Sequence, residues 1–298
     1  MPMKNKSLFL SLLLMSFLCI TSYAQSIEEL VSKYTGDNGK EYMQPFANYV
    51  GASLNSGLYH TAHIKKMGFQ MYLGIQATAA FIPDKYKTFT ATTEGSFTPV
   101  QTADVSTIFG PSESTEVSGD GGTVYVFPGG LNVSMMPLAM PQLTIGSVYG
   151  TDLTIRYFGY NFGEDFGKLR LFGIGVRHSI SQYVTSIPLD IAAGFYYQTF
   201  KLGDLIDANT WSFNAQASKT LLIFTFYGGL GYEHAKVNIA YFNEEADTDV
   251  EFRLKGENNI RLTAGINFNL GPVKLNVDYS LAKQSILCVG LGIGINEK

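Results

Sequence analysis

Apolar and polar residues alternate with a period of two along the last fifth of the chain. Between Val250 and Leu270 the even-numbered positions are apolar or neutral, and the odd-numbered positions are mostly polar. The alternation resumes after Gly271-Pro272, from Val273 to Leu281, and again from Leu287 to Asn296. This period is typical of β-strands whose two faces lie in different surroundings. Three such strands joined by tight turns predict an antiparallel meander.

The same alternation recurs upstream and predicts about ten strong strands, or twelve with the weaker ones. The upstream strands are expected around residues 67–81 and then, with a regular pattern from Leu143 onward, around 153–157, 172–179, 189–198, 211–218 and 221–242. A weaker strand is expected at Leu58–Ile64, with a turn at Lys65-Lys66. Runs of about nine to eleven residues cross a bilayer when tilted, whereas sandwich strands are usually shorter. We therefore predict an all-β fold, an antiparallel transmembrane barrel, over a soluble sandwich.

The first 24 residues have the pattern of a secretory signal peptide. Lys4 and Lys6 precede an apolar run from Ser7 to Ile20, and the small residues Ser22 and Ala24 stand at positions −3 and −1 before Gln25. The run is short for a membrane span, although an uncleaved anchor is the alternative. We therefore assign 1–24 to the signal, 25–56 to an N-terminal helical segment and 57–298 to the barrel.

Residues 25–56 are the helical part of the chain. Ser26 and Glu29 form a capping box, and a second helix is predicted from about Lys40 to Leu54, with Pro45 near its start. Two placements remain open, a cap on the periplasmic mouth and a plug inside the lumen. The irregular insertion at 84–142, with short strands at Lys87–Thr92 and Thr123–Phe127, is a loop, a lid or a second part of the plug.

Composition agrees with an exported barrel. Glycine (31 residues) and aromatic residues (13%) are frequent, and charged residues (15%) are few. The net charge of −4 becomes −6 once Lys4 and Lys6 are removed, which argues against nucleic acid as a partner. Cys288 is then the one remaining cysteine, so an intramolecular disulfide is excluded.

No constellation in the sequence favours catalysis. His178 is followed by Ser179, but adjacent residues of a strand face opposite sides. His60 and His63 also have opposite parity, and no phosphate loop or metal-binding spacing occurs. We expect neither an enzyme nor a bound cofactor or metal.

Six charged residues are expected to face the lumen. Parity assigns to the inner face Arg156, Arg177, Asp190, Arg261, Lys274 and Asp278. They either form a salt-bridged interior that rigidifies the barrel or a polar eyelet that selects solutes. Six inward glycines form a smooth wall, against which we expect the N-terminal helices to pack: Gly173, Gly175, Gly194, Gly290, Gly292 and Gly294.

Three segments resemble a known family: Met140–Tyr157, Thr107–Pro111 and Phe127–Gly130. The likeness runs from about Tyr42 to the C-terminus. The family consists of exported proteins of unknown function from Gram-negative bacteria. The resemblance implies an outer-membrane barrel and no particular activity. A looser resemblance, based on an N-terminal helical segment and glycine-rich strands, links the chain to outer-membrane channels for fatty acids and aromatic hydrocarbons.

Three functions follow from these observations. The first is passive binding or passage of a small, apolar solute through a barrel in the outer membrane. The second is a non-conducting structural or surface-interaction barrel, and the third a lipid-modifying barrel enzyme. The expected partners are outer-membrane lipid, the barrel-assembly machinery during biogenesis and the apolar solute.

Overall fold

The computed structural model of the protein describes residues 29–161, 167–184, 186–243 and 247–296. The predicted signal at 1–24 and Ser26 of the capping box lie outside the described residues. In the described parts, no helix combines the length and the apolar character that a membrane span needs.

The described chain contains one long helix, two short 3₁₀ helices (Asp84–Tyr86 and Asp120–Gly122) and fifteen strands. Helix α1 is Asp37–Leu54. The strands are β1 Met67–Phe81, β2 Thr88–Thr92, β3 Thr102–Ser106, β4 Thr115–Ser118, β5 Val124–Phe127, β6 Met135–Val148, β7 Thr151–Asn161, β8 Lys168–Ser179, β9 Asp190–Leu202, β10 Ile206–Leu221, β11 Phe224–Asn243, β12 Thr248–Lys255, β13 Ile260–Leu270, β14 Val273–Leu281 and β15 Ile286–Ile295.

Ten of these strands close into an antiparallel barrel, which confirms the predicted fold class. The order around the barrel is β1, β6, β7, β8, β9, β10, β11, β13, β14 and β15, and β15 pairs with β1. Closure leaves the barrel wall with no unpaired edge, as a membrane-spanning sheet requires. β12 pairs with the far half of β11 and extends the wall beyond β13.

The two ends of the barrel differ. At the turn end, β6 and β7 are joined by Tyr149 and Gly150, both with positive φ (50° and 72°), which is the geometry of a type I′ hairpin. β10–β11 and β13–β14 are joined there by equally short turns. At the opposite, loop end lies the insertion 82–134 between β1 and β6.

The inner and outer faces exchange character along the barrel axis. Near the turn end, β8 directs Phe172, Ile174 and Val176 outward, each more than 40% exposed. Toward the loop end the same strand directs Lys168 and Arg170 outward and buries Leu169 and Leu171. β9, β10 and β11 repeat this exchange. The turn-end half is thus apolar outside, as a lipid-facing wall is, while the loop-end half has the polar exterior and apolar core of a water-soluble domain.

Helix α1 and the chain after it lie inside the barrel, so the plug is the placement that the structure shows. α1 occupies the loop-end half and packs on β11 and β12, where Gly51 lies against Ala235 and Gly39 against Tyr241 and Phe252. Residues 55–66 then run without helix or strand through the turn-end half and lead into β1. The strand predicted at Leu58–Ile64 is wrong, because side chains of the wall bond this main chain in place of a ladder.

The segment Val250–Leu270 is two strands rather than one. The alternation of the sequence continues through it, but the chain breaks at residues 256–259 between β12 and β13. Phe252 and Leu254 consequently face inward against the plug, whereas Leu262 faces outward. The break therefore coincides with the exchange of inner and outer faces.

The insertion is shorter than predicted and ordered into two hairpins. β6 begins at Met135, so residues 82–134 form the insertion rather than 84–142. The predicted short strands correspond to β2 and β5, and each has a partner, β3 and β4, that the sequence did not indicate. The insertion covers the loop end of α1, which makes it a lid.

The inward glycines do not receive α1, so that prediction is wrong. Side chains of the barrel itself fill the space: the ring of Tyr196 covers Gly175, and the ring of Tyr72 covers Gly292. Gln76 lies against Gly290 in the same way. Small residues on one strand thus make room for large residues on the next.

Candidate functional site

Three buried arginines of the wall hold the plug by its main chain. Arg261 on β13 is the nearest to the loop end. Its guanidinium makes a bidentate ion pair with Glu233 (2.8 and 3.0 Å). It also donates to the carbonyl oxygen of Ala52 (2.9 Å) and to the hydroxyl of Ser56. The carbonyls of the last helical turn have no partner within the helix, so Arg261 caps the C-terminus of α1 with a positive charge.

Arg156 on β7 lies next toward the turn end and is only 1% exposed. It donates to the carbonyl oxygens of Leu54 (3.1 Å), Ser56 (2.9 Å) and Gly57 (2.5 Å). The side-chain oxygens of Gln142 (2.9 Å) and Gln198 (3.1 Å) complete its shell. These oxygens are all neutral, so the plug itself provides much of the solvation of this buried cation.

Arg177 on β8 is the third of the set. It forms a bidentate pair with Asp152 (3.0 and 2.5 Å) and donates to the carbonyl oxygen of Thr61 (2.6 Å). Both members of the pair are nearly inaccessible. Charge-assisted, two-pronged bonds of this kind fix a geometry closely.

Polar side chains continue the contacts to the turn end. The hydroxyl of Ser218 accepts from the main-chain nitrogen of Ala62 (2.9 Å). The amide of Gln70 donates to the carbonyl oxygen of His63 and accepts from the nitrogen of Lys65. His63 also approaches Asp190 (Nδ1–Oδ1 3.0 Å), which is the one of the six predicted lumen residues that lies at the mouth.

Lys274 and Asp278 lie inward on β14, the strand next to the one that carries Arg261. Lys274 donates to Asn269 (2.8 Å). Asp278 accepts from the hydroxyl of Tyr227 (2.9 Å), and Tyr227 lies within reach of Asn276. The structure thus brings Arg156, Arg177 and Arg261 onto the main chain of the plug, whereas Lys274 and Asp278 bond other side chains of the wall.

The insertion seals the loop end of the plug. The hydroxyl of Tyr42 donates to the carbonyl oxygen of Gly129 (2.9 Å), and the nitrogen of Ile108 donates to the carbonyl oxygen of Tyr42 (3.1 Å). The ring of Phe109 packs against Phe46 and Tyr49. Burial and the neighbouring phenol of Tyr34 raise the pKa of Tyr42, so its hydroxyl remains a donor.

Sequence reasoning missed the partners of the arginines. Asp152 and Glu233 were not selected, although each has the parity of the inner face. Gln142, Gln198 and Ser218 were missed as well, because an amide or hydroxyl inside a barrel is unremarkable by sequence. What distinguishes them is the plug that they bond, and no strand pattern reveals its path.

Groups with catalytic potential are engaged in other contacts. Ser179 lies near the hydroxyl of Ser181 (3.3 Å), and His178 lies near Thr151 (2.8 Å) and Tyr183 (3.0 Å). Within the described ranges, no group of three or more His, Cys, Asp or Glu side chains is arranged to hold a metal ion.

Among proteins of curated function, none matches the chain. Solved structures similar to it are outer-membrane barrels. The N-terminal β-barrel domain of OprF from Pseudomonas aeruginosa is 17% identical, with 49% of this chain and 98% of that one covered and a TM-score of 0.28. Ail of Yersinia pestis is 13% identical (76% and 98% covered, TM-score 0.27). The translocator domain of the autotransporter NalP from Neisseria meningitidis is 10% identical (87% and 98% covered, TM-score 0.31).

A single profile matches residues 3–295, nearly the whole chain. The chain therefore belongs to DUF6588, a family of unknown function whose member described here is a closed β-barrel of the outer-membrane type.

Proposed function

We propose that the protein is a sealed barrel of the outer membrane that acts through its loop-end surface, as a structural or surface-interaction protein. The observation that carries this proposal is the plug. Residues 42–64 lie almost entirely buried along the axis of the barrel, and wall side chains bond their main chain from Ala52 to Lys65. A lumen filled in this way offers no open path along its axis.

The exchange of faces supports a projecting outer part. The turn-end half has the apolar exterior of a lipid-facing wall, and the loop-end half has a polar exterior. Outer-membrane barrels have short turns on the periplasmic side and long loops outside. The lid, α1 and the β11–β12 hairpin then form a compact, solvated body above the membrane. The proposal includes export through the signal predicted at residues 1–24.

The polar wall also weighs against the passage of an apolar solute through the lumen. The passage of such a solute stays an untested prediction from the sequence. Such a solute would have to displace the plug and then pass Arg156, Arg177 and Arg261. Removing the plug would leave these buried cations without the carbonyl oxygens that solvate them. We further propose that the protein is not an enzyme.

Conductance in planar bilayers tests the seal. We expect the full-length protein to give no steady conductance. The double variant Arg156→Ala/Arg177→Ala should give frequent openings, because the plug loses two of the three arginines that bond its main chain. Arg253→Ala is the matched control, since Arg253 is exposed and contacts Asn238 outside the lumen. Steady conductance by the unaltered protein would refute the proposal.

Surface labelling tests the orientation. An epitope inserted between Gly121 and Gly122, both exposed at the tip of the lid, should be detected by antibody on intact cells. The same epitope between Gly271 and Pro272, exposed at the turn end, should be detected only after the cells are permeabilised. Labelling in the opposite order would show that the lid faces the periplasm.

A further inference from the structure

The main chain of residues 54–65 crosses the barrel without joining a ladder among the described strands. Buried main-chain groups nevertheless need hydrogen-bond partners. Wall side chains provide them for nine main-chain groups in eight residues. Bonds reach the oxygens of Leu54, Ser56, Gly57, Leu58, Thr61, His63 and Lys65 and the nitrogens of Ala62 and Lys65. The wall therefore recognises groups that every polypeptide carries.

The wall also contacts the aromatic rings of two adjacent residues of the segment, Tyr59 and His60. The ring of Tyr59 lies 6.0 Å from that of Tyr227, and its hydroxyl occupies the space over Gly229. The ring of His60 lies 4.3 Å from that of Tyr72 on a different strand. In an extended chain successive side chains point in opposite directions. The lumen thus accepts one ring on each of two facing walls.

From these contacts we propose that the turn-end half of the lumen is a binding site for an extended polypeptide that carries two adjacent ring-bearing residues. Residues 54–65 are the occupant in this structure, and a polypeptide from another molecule can replace them. The segment joins β1 at Met67 and takes no part in the wall. Its departure therefore leaves the ten-stranded ladder intact.

The test uses the full chain with a protease site inserted after Lys66, which is exposed at the turn end. Cleavage leaves the plug held by non-covalent contacts. Three labelled synthetic peptides spanning residues 52–66 are then added. The first has the native order; the second shuffles the residues whose side chains make no hydrogen bond or ring contact with the wall and keeps Ser56, Gly57, Tyr59, His60, Thr61 and His63 in place. The third has the native order with Tyr59→Ser and His60→Ser. Gly57 is kept because its φ of 62° suits glycine.

We expect the first two peptides to displace the plug at concentrations within about threefold of each other, since both offer the same main chain and rings. The third should need at least about tenfold more, equivalent to about 1.4 kcal/mol. The uncleaved protein is the control and should need a higher concentration of each peptide, because its own segment remains tethered and competes at a high effective concentration.

Two results would overturn the inference. If only the peptide with the native order displaced the plug, the wall would recognise all the side chains of residues 54–65, and this segment would be a dedicated plug. No displacement by any peptide would show that the site is closed to other molecules. Either result leaves the conductance of the uncleaved protein unchanged, so this inference and the sealed barrel can fail separately.

Discussion

The two halves of the lumen hold the same plug by opposite means. In the loop-end half, α1 packs through apolar side chains such as Met43 and Phe46, and the facing wall is apolar. In the turn-end half, an extended chain is held by arginines, amides and hydroxyls, and the facing wall is polar. The inward residues of the loop-end wall include Leu169, Leu171, Phe200, Leu202, Ile206, Val237, Ile239, Phe252 and Leu254.

The medium outside each half explains this difference. A barrel wall in lipid has its apolar residues outside, so the inner face is left to polar side chains. Above the membrane water surrounds the wall, and the hydrophobic effect favours apolar residues inside. An apolar interior suits a helix, whose main-chain bonds are internal. A polar interior can satisfy the main chain of an extended segment, so each form of the plug matches its surroundings.

The largest effect is expected from breaking the polar half at Arg177. Arg177→Ala leaves the Asp152 carboxylate buried without its cation, which should lower the free energy of unfolding by about 3–5 kcal/mol. Urea unfolding in detergent micelles would measure the change. Because the cost comes from the stranded charge, Arg177→Ala/Asp152→Ala should be more stable than Arg177→Ala alone. A single variant within about 1 kcal/mol of the parent would mean that the pair does not support the polar half.

Strand periodicity predicted the barrel because alternation is local. β1 and β8 were recognisable from their own residues, and parity placed Arg156 and Asp278 inward without any knowledge of the fold. β6 was only partly recognised, since Pro137 and Pro141 interrupt its pattern within a segment rich in turn residues. Propensity in such a segment is overruled by pairing with β1 and β7.

The site was less predictable than the wall. An even-numbered residue of Val250–Leu270 can face water, lipid or the plug, depending on its position along the barrel axis. The alternation of the sequence does not reveal that position. The same limit applies to Phe252, which has the parity of the outward-facing Leu262 but contacts the plug. Predicting that Arg156, Arg177 and Arg261 bond the plug would have required knowledge of the path of residues 55–66. Long-range hydrogen bonds determine that path, and local preference does not.

Met43→Ala probes the apolar half. Met43 is fully buried on α1, so its truncation should cost about 2–5 kcal/mol through lost burial and the cavity that remains. In contrast to the Arg177→Ala variant, no single substitution of a partner is expected to restore the loss, because packing involves many neighbours. Calorimetry of the variant alone and combined with Asp152→Ala should give additive changes, since the two sites lie in different halves. A strong coupling between them would show that the halves are one cooperative unit.

The smallest effect concerns the link between the lid and the wall. The hydroxyl of Tyr86 donates to the carboxylate of Glu257 (2.7 Å), which joins the insertion to the break between β12 and β13. Burial and this bond raise the pKa of Tyr86 to about 12.

A phenol whose pKa is raised in the folded state stabilises that state below its usual pKa near 10, and the contribution is lost as the pH rises through 12. Tyr86→Phe should therefore cost roughly 1 kcal/mol or less at neutral pH. It should also remove part of the loss of stability between about pH 10 and 12. Denaturant unfolding of the parent and the variant between about pH 10 and 12 would measure this difference. If the free energies of unfolding of the two proteins changed equally with pH, the bond would not hold the lid.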